Sequence, residues 1–211
     1  MTLYIGIDLS GPSNTKDTSI SIFSGNHEEM RLKELMVGAT DHEIYSRFEN
    51  EEENMVIGID APLSYQPGGG DRPGDRALRN RIKEAGMKGA SIMTPTMTRM
   101  VYLTLRGVSL SRGLAGIPST SIVEVHPGAA VGLRFSDINS VLTYKSDITA
   151  RKTLLDFLEI ERVVAIPEHT LQSTHSFDAC LAAYAAWKWH HGKASFSFPA
   201  ESPIHPFEIG C

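Results

Sequence analysis

Five acidic or imidazole side chains fall where a buried strand or helix meets solvent. Asp8 ends the apolar run Ile5-Gly6-Ile7, and Asp60 ends the echoing run Ile57-Gly58-Ile59. Glu124 lies near the end of Ser121-Ile122-Val123-Glu124-Val125-His126. His175 and Asp178 stand three residues apart, so on a helix they project from one face near its N-terminus. A lone Asp after a strand is ordinarily a turn former or a helix cap. Four acids at the same end of successive core elements ask for more. Crowded carboxylates repel one another and raise one another's pKa, which a divalent cation relieves. Oxygen donors in a chain with two cysteines suit Mg²⁺ or Mn²⁺ rather than zinc. Two such ions would clamp the attacking and leaving oxygens of a phosphodiester displacement.

The elements that must position these groups can be traced along the chain. Leu3 to Leu9, Thr18 to Phe23 and Leu32 to Val37 alternate as strands separated by Gly11-Pro12-Ser13-Asn14 and Gly25-Asn26, an antiparallel start. Asp41 is expected to cap a short helix to about Glu53, and Met55 to Ile59 is an apolar, β-branched strand. Residues 61–75 read as a long loop, followed by helices over Arg76 to Lys88 and Thr96 to about Arg106. Ser121 to His126 is a strand stopped by Pro127-Gly128. A helix over Asp147 to Leu158, a short strand over Val163 to Ile166 and a last helix from Ser173 or Thr174 to about His190 complete the pattern. The tail from Phe196, with three prolines, reads as an extended strap along the surface. The expected fold is α/β, a mixed sheet of about five strands with helices on its faces. Within each acidic strand, side-chain alternation puts Gly6 on the face of Asp8 and Gly58 on that of Asp60. Each glycine leaves room for a ligand or for another chain segment.

The 211 residues suit one domain, with an insertion over about 61–118 and an extended tail over about 193–211. Hydrophobic residues at 41% and charged residues at 21% exclude a disordered chain. No apolar stretch is long enough to cross a bilayer and no basic leader precedes the first strand, so a cytoplasmic protein is expected. Cys180 and Cys211 cannot form a disulfide framework, and Cys180 reads as a small core hydrophobe. The net charge of −5 hides an asymmetry: residues 1–70 carry 4 basic and 12 acidic side chains, whereas residues 71–112 carry 9 and 3. Such a basic island is either a solvated helix face or a phosphate-contact surface. In the second case Arg72, Arg76, Arg79, Arg81 and Lys83 are its candidates, with Lys145 a further phosphate contact.

Other groups carry weaker signals. His126 is a core histidine or a ligand. Gly68-Gly69-Gly70-Asp71 lacks the lysine of a nucleotide loop and reads as a lid or linker. Met93, Met97, Met100 and Val101 have helical spacing and read as core. Ser10, Ser13 and Ser64 lack the Gly-x-Ser-x-Gly elbow of serine hydrolases.

Taken in order, these motifs resemble a known fold. An Asp in the first strand, an acid after the fourth and a closing acid on the final helix are similar to the ribonuclease H-like fold. His175-Ser176-Phe177-Asp178-Ala179 is similar to the H/D-x-x-D-A helix of Holliday-junction resolvases. Together with Gly6-Ile7-Asp8, Gly58-Ile59-Asp60-Ala61-Pro62, Glu124-Val125-His126-Pro127 and Tyr144-Lys145, it resembles the domain-of-unknown-function family numbered 429, described as predicted nucleases of that fold. The resemblance spans roughly residues 3–190. It implies that Asp8 bridges two metals, that Asp60 and Asp178 each complete one, and that His175 binds metal or orients water. Glu124 has no clear resolvase counterpart and stands as a ligand, a general base or a support for the ligands.

The resulting expectation is a Mg²⁺- or Mn²⁺-dependent nuclease with DNA or RNA as its partner and no membrane partner. Two alternatives stand beside it. One is an ATP-dependent phosphotransferase of the actin and sugar-kinase-like branch, for which 211 residues are too few to build both halves. The other is an inactive nucleic-acid-binding module. A homodimer is compatible with the sequence, which does not set the oligomeric state.

Overall fold

The computed structural model describes residues 1–211. β1 (Thr2–Asp8), β2 (Ser19–Gly25) and β3 (Met30–Val37) form the antiparallel meander that the turn residues demand. Thr40, not Asp41, caps α1 (Asp41–Phe48), with the Glu43 carboxylate accepting from the Thr40 N–H at 2.8 Å. That helix stops at Phe48 rather than Glu53, because Glu51, Glu52 and Glu53 would crowd negative charge at the negative end of the helix dipole.

β4 (Asn54–Asp60) lies parallel beside β1, and β5 (Thr120–Val125) parallel beyond β4. The crossover between them carries α2 (Pro73–Glu84) and α3 (Met100–Leu114). Both are displaced from their expected spans. α2 starts earlier because Pro73 suits a first helical position and Asp75 reaches back to accept from Arg72 N at 2.9 Å. Two short helices that the sequence does not announce follow β5: α4 (Pro127–Gly132) and α5 (Ile138–Thr143). Pro127, read as a strand stop, also opens a helix. α6 (Ile148–Ile160), β6 (Val163–Val164) and α7 (Thr174–His190) follow, with Asp147 and Ser173 as the N-caps of the two helices.

The sheet has eight strands rather than about five, because β6 pairs at one edge and the tail supplies two at the other. β7 (Ser197–Phe198) and β8 (Ile209–Gly210) extend the order to β6-β3-β2-β1-β4-β5-β8-β7. The surface strap is thus corrected: β5 would otherwise leave an open edge, and Glu124 N donates to Glu208 O at 2.9 Å. Ile209 and Cys211 are buried as a result. Two-residue strands flanked by prolines carry no readable periodicity, which is why the sequence conceals them.

One face of the sheet presents Tyr4, Phe23, Val56 and Val123 to α7, where Phe177, Leu181 and Tyr184 meet them. The other presents Ile5, Ile7, Ile57 and Ile59 to α1 and α3, through Ile44, Phe48, Leu110 and Leu114. The room beside the acids is filled by chain, not ligand. A Cβ on Gly6 would lie 1.9 Å from the Ala179 carbonyl oxygen and 2.3 Å from Ala183 N, and one on Gly58 would lie 2.6 Å from Ala182 O. No helix is long and apolar enough to cross a membrane.

Gly6→Ala therefore forces α7 off the sheet. The expected cost is about 3 kcal/mol or more, a fall in Tm of roughly 6–12 °C for a chain of this size. Gly11→Ala is the control, since nothing lies within 4 Å of its added Cβ, and should change stability by less than about 0.5 kcal/mol. Urea denaturation of the two variants checks the contrast.

Candidate active site

The C-terminal ends of the parallel strands β1, β4 and β5 form the floor of a cleft of about 240 Å³. Asp8 and Asp60 are register partners on β1 and β4, so their side chains stand side by side on the face toward α7. The same close approach that the glycines permit lowers the first turns of α7 onto that edge. Ser173 caps the helix by accepting from Ser176 N at 3.2 Å, and Ser21 Oγ donates to Ala179 O at 2.8 Å. Asp178 is thereby held over the strand ends, and His175 Nδ1 donates to Asp8 Oδ2 at 2.7 Å. Asp8, Asp60, His175 and Asp178 are brought together.

Each partner of these acids differs. Tyr144 donates its hydroxyl to Asp178 Oδ1 at 2.9 Å, and Lys145 Nζ forms an ion pair with Oδ2. Asp60 accepts no hydrogen bond, and His126 Nδ1, at 4.0 Å, makes its one ion-pair contact. Burial raises the Asp60 carboxyl well above the usual carboxylate range, and the charges of Asp8 and Asp178 push it the same way. Burial also raises Asp178, against the pull of Lys145. For Lys145, burial opposes the charge, but Asp178, Asp60 and Asp8 outweigh it and raise the amine. The hydrogen bond to Asp8 raises His175, whereas burial lowers His126. Lys145 is seated on Asp178, and no three acid or histidine side chains converge on one point.

Glu124 stands apart from this group. Its register partner on β4 is Ile59, not Asp60, so it points from the opposite face of the sheet. There it is buried and held by Arg72, whose Nη1 donates to Oε2 at 2.7 Å and whose Nη2 pairs with Oε1. Leu63 N donates to the same Oε2 at 2.8 Å. Arg72 also pairs with Asp75 at 2.6 Å and donates to Ser64 Oγ at 3.0 Å. Burial works against the guanidinium charge, yet Glu124 and Asp75 outweigh it and raise its pKa. Arg72 is thus an internal brace, not a free phosphate contact.

The basic island is consumed in a similar way elsewhere. Arg79 pairs with Asp71 and donates to Ile92 O at 2.8 Å. Arg106 is buried and donates to Asp41 at 2.7 Å, to Ser10 O at 2.7 Å and to Thr18 Oγ1 at 2.8 Å. Arg76 is exposed and donates to Asp71 O at 2.9 Å, which leaves guanidinium nitrogens free. Arg81 and Lys83 are exposed. The methionine set is not core as its spacing suggested: Met93 and Met97 are exposed, and Met93 and Met100 line the cleft. Gly68, Gly69 and Gly70 all adopt positive φ, and Gly70 N donates to Thr96 Oγ1 at 3.1 Å, so this loop is tied to the insertion. Arg106 and the Arg72–Glu124 pair were not legible as partners, because their members lie 65 and 52 residues from Asp41 and Glu124 respectively.

A family model described as "Protein of unknown function (DUF429)" matches residues 6–203. No curated protein and no solved structure matches the chain.

Two outcomes follow from these pairs. Glu124→Gln leaves the Arg72 charge short of its main partner and should cost about 3 kcal/mol in urea denaturation. The thermal response to Mg²⁺ should be unaltered by it, since Glu124 faces away from the other acids. Hydrogen bonds from Arg79 and Thr94 hold the Asp71 carboxyl down at about 2. A depressed carboxylate stabilises the fold above its unfolded pKa, near 3.8, and that contribution is lost as pH falls toward 2. Asp71→Asn should remove this acid-sensitive share, and hydrogen exchange of residues 89–95 should speed up at neutral pH.

Proposed function

Since the chain belongs to the DUF429 family of unknown function, we propose its activity from its own cleft: divalent-metal-dependent hydrolysis of phosphodiester bonds in nucleic acid, on a ribonuclease H-like fold. The carrying observation is Asp60, a carboxylate beside Asp8 and Asp178 that receives no hydrogen bond from the protein. Acids this close together, two buried and Asp60 half-buried, require positive charge, and Lys145 with a protonated His175 supplies two units of it against three carboxylates. The donor set fits a hard cation: Asp8, Asp60 and Asp178 would hold Mg²⁺ or Mn²⁺ once Asp178 exchanges Lys145 for the ion. Bound there, the ion would supply Lewis-acid charge at a phosphoryl oxygen and lower the pKa of its water.

The chain's own groups have separate tasks. Asp8 orients the His175 ring through Nδ1 and holds it protonated to higher pH, so Nε2 can deliver a proton to a leaving oxygen. Tyr144 fixes the rotamer of Asp178. Lys145, released from Asp178, is placed to take a phosphate oxygen. Glu124 acts through Arg72 on the shape of the cleft wall rather than on the reacting atoms. A mixed sheet with its antiparallel strands first, and its acids together at one strand end, supports the ribonuclease H-like reading. A cytoplasmic setting belongs to the same proposal. A small phosphate ester is the second reading, favoured by the internal pairing of Arg72, Arg79 and Arg106.

Purified protein should cleave labelled DNA or RNA only with Mg²⁺ or Mn²⁺, and millimolar metal should raise Tm by several degrees. Asp60→Asn should raise the metal-free Tm by roughly 2–4 °C, about 1 kcal/mol, and abolish the metal-dependent gain. Asp60→Asn and Asp178→Asn should each lower cleavage by more than about a hundredfold. Wild-type protein that cleaves no nucleic acid and is indifferent to both metals defeats the reading. Turnover of a small phosphodiester alone transfers it to the second.

A further inference from the structure

Beside the cleft lies a second, larger groove of about 720 Å³. Gly11 and Ser13 form one wall, from the turn after Asp8, and Arg99, Tyr102 and Leu103 form the other, from the start of α3. Met93, Met100 and Leu103 line both the groove and the acidic cleft, so the two adjoin across these side chains. Its apolar side chains are left in water, with Tyr102 59% and Met93 40% exposed. The buried side of α3 already carries the packing, through Leu110 and Leu114 and through Arg106. Nothing in the fold requires a tyrosine on the outer side.

The charge around this groove narrows what can lie in it. Arg72, Arg79 and Arg106 are spent on internal carboxylates, whereas Arg99 is exposed and forms no ion pair. A ligand held here meets one free cation beside an aromatic ring and two thioethers. That suits a flat, uncharged π-face with one phosphate next to it. A stacked duplex offers no such face, since each base is covered by its neighbours, whereas a single strand can turn one base out.

We propose that the groove is a stacking platform for one unpaired base of a single-stranded nucleic acid, with Tyr102 as the platform and Arg99 on the adjoining phosphate; this rests on the nuclease reading of the acidic cleft. The next phosphate along the strand then reaches Asp8, Asp60 and Asp178 by crossing over the shared lining residues Met93, Met100 and Leu103. Selectivity for unpaired strands comes from α3, not from the acids.

Binding of short labelled oligonucleotides to the wild-type protein in EDTA, read by fluorescence anisotropy, tests this separately from cleavage. Single strands should bind more tightly than the matching duplex. Tyr102→Ala should weaken single-strand binding by roughly five- to a hundredfold, and Tyr102→Phe should retain it. Moving one abasic site along the oligonucleotide should reveal a position that costs the wild type a similar factor and costs Tyr102→Ala nothing more. Tm should be unchanged in both variants. Unchanged affinity in Tyr102→Ala, an equal loss on duplex, no oligonucleotide binding at all, or an alanine effect that persists at every abasic position would overturn the proposal. A shift from dimer to monomer in Tyr102→Ala, read by light scattering, would overturn it too and assign the face to a second copy of the chain. Metal-dependent cleavage with Tyr102-independent binding would remove this inference and leave the nuclease reading intact. The abasic signature without any cleavage would do the reverse.

Discussion

The contact between α7 and two glycines controls the geometry of the whole cleft. Gly6 and Gly58 let the helix backbone descend onto β1 and β4 to a distance that any Cβ would forbid. Ala179, Ala182, Ala183 and Ala186 keep the helix side of that contact equally thin, and Ser21 fastens it through the Ala179 carbonyl. Asp178 rides on the same helix turn as Ala179, so the packing distance of the core sets the distance between the acids. Stability and site geometry share one contact. A chain that relaxed it by a single methyl group would lose both together.

A second brace works on the other face of the sheet. Arg72 ties Glu124 of β5, Asp75 of α2 and Ser64 of the loop after β4 into one buried network, and His205 of the tail joins at Ser64 Oγ, 2.9 Å away. This network joins the insertion to the side of the sheet where β8 pairs with β5. Arg106 does the equivalent work between α3, α1 and the turn after β1. The insertion is thereby a wall of the cleft, held by its own cations. Charges that would make a basic surface in an isolated helix act here as internal fasteners, because a guanidinium buried beside carboxylates costs less than one left unpaired.

The cleft that results has unequal sides. Its floor gathers the carboxylates of Asp8, Asp60 and Asp178 around Lys145, while its lateral groove is apolar and carries Arg99, which forms no ion pair. The phosphate chemistry proposed for the floor and the planar group proposed for the groove are compatible, since each would be met by a different part of one ligand. Tyr144 and Lys145 line the cleft, and they and His175 each already hold a carboxylate in place.

Much of the site was legible in the residues. The echo of Gly6-Ile7-Asp8 in Gly58-Ile59-Asp60 announces two equivalent strand ends, and the three-residue spacing of His175 and Asp178 announces a shared helix face. Alternation and spacing are local properties, so they survive without knowledge of the partners. Glu124 looked like a fourth member because it too ends an apolar strand. Only the register of β4 with β5 decides that it pairs with Ile59 and faces away, and a slip of one residue would have reversed that. Local pattern likewise could not tell that Arg72, Arg79 and Arg106 would find carboxylates, nor that two short strands of a proline-rich tail would extend the sheet beyond β5. The sequence by itself determined the succession of the first six strands along the chain, the faces of Asp8 and Asp60, and the helix that brings Asp178. The tertiary structure decided which charges cancel, because cancellation depends on distances between segments that alternation and spacing do not contain.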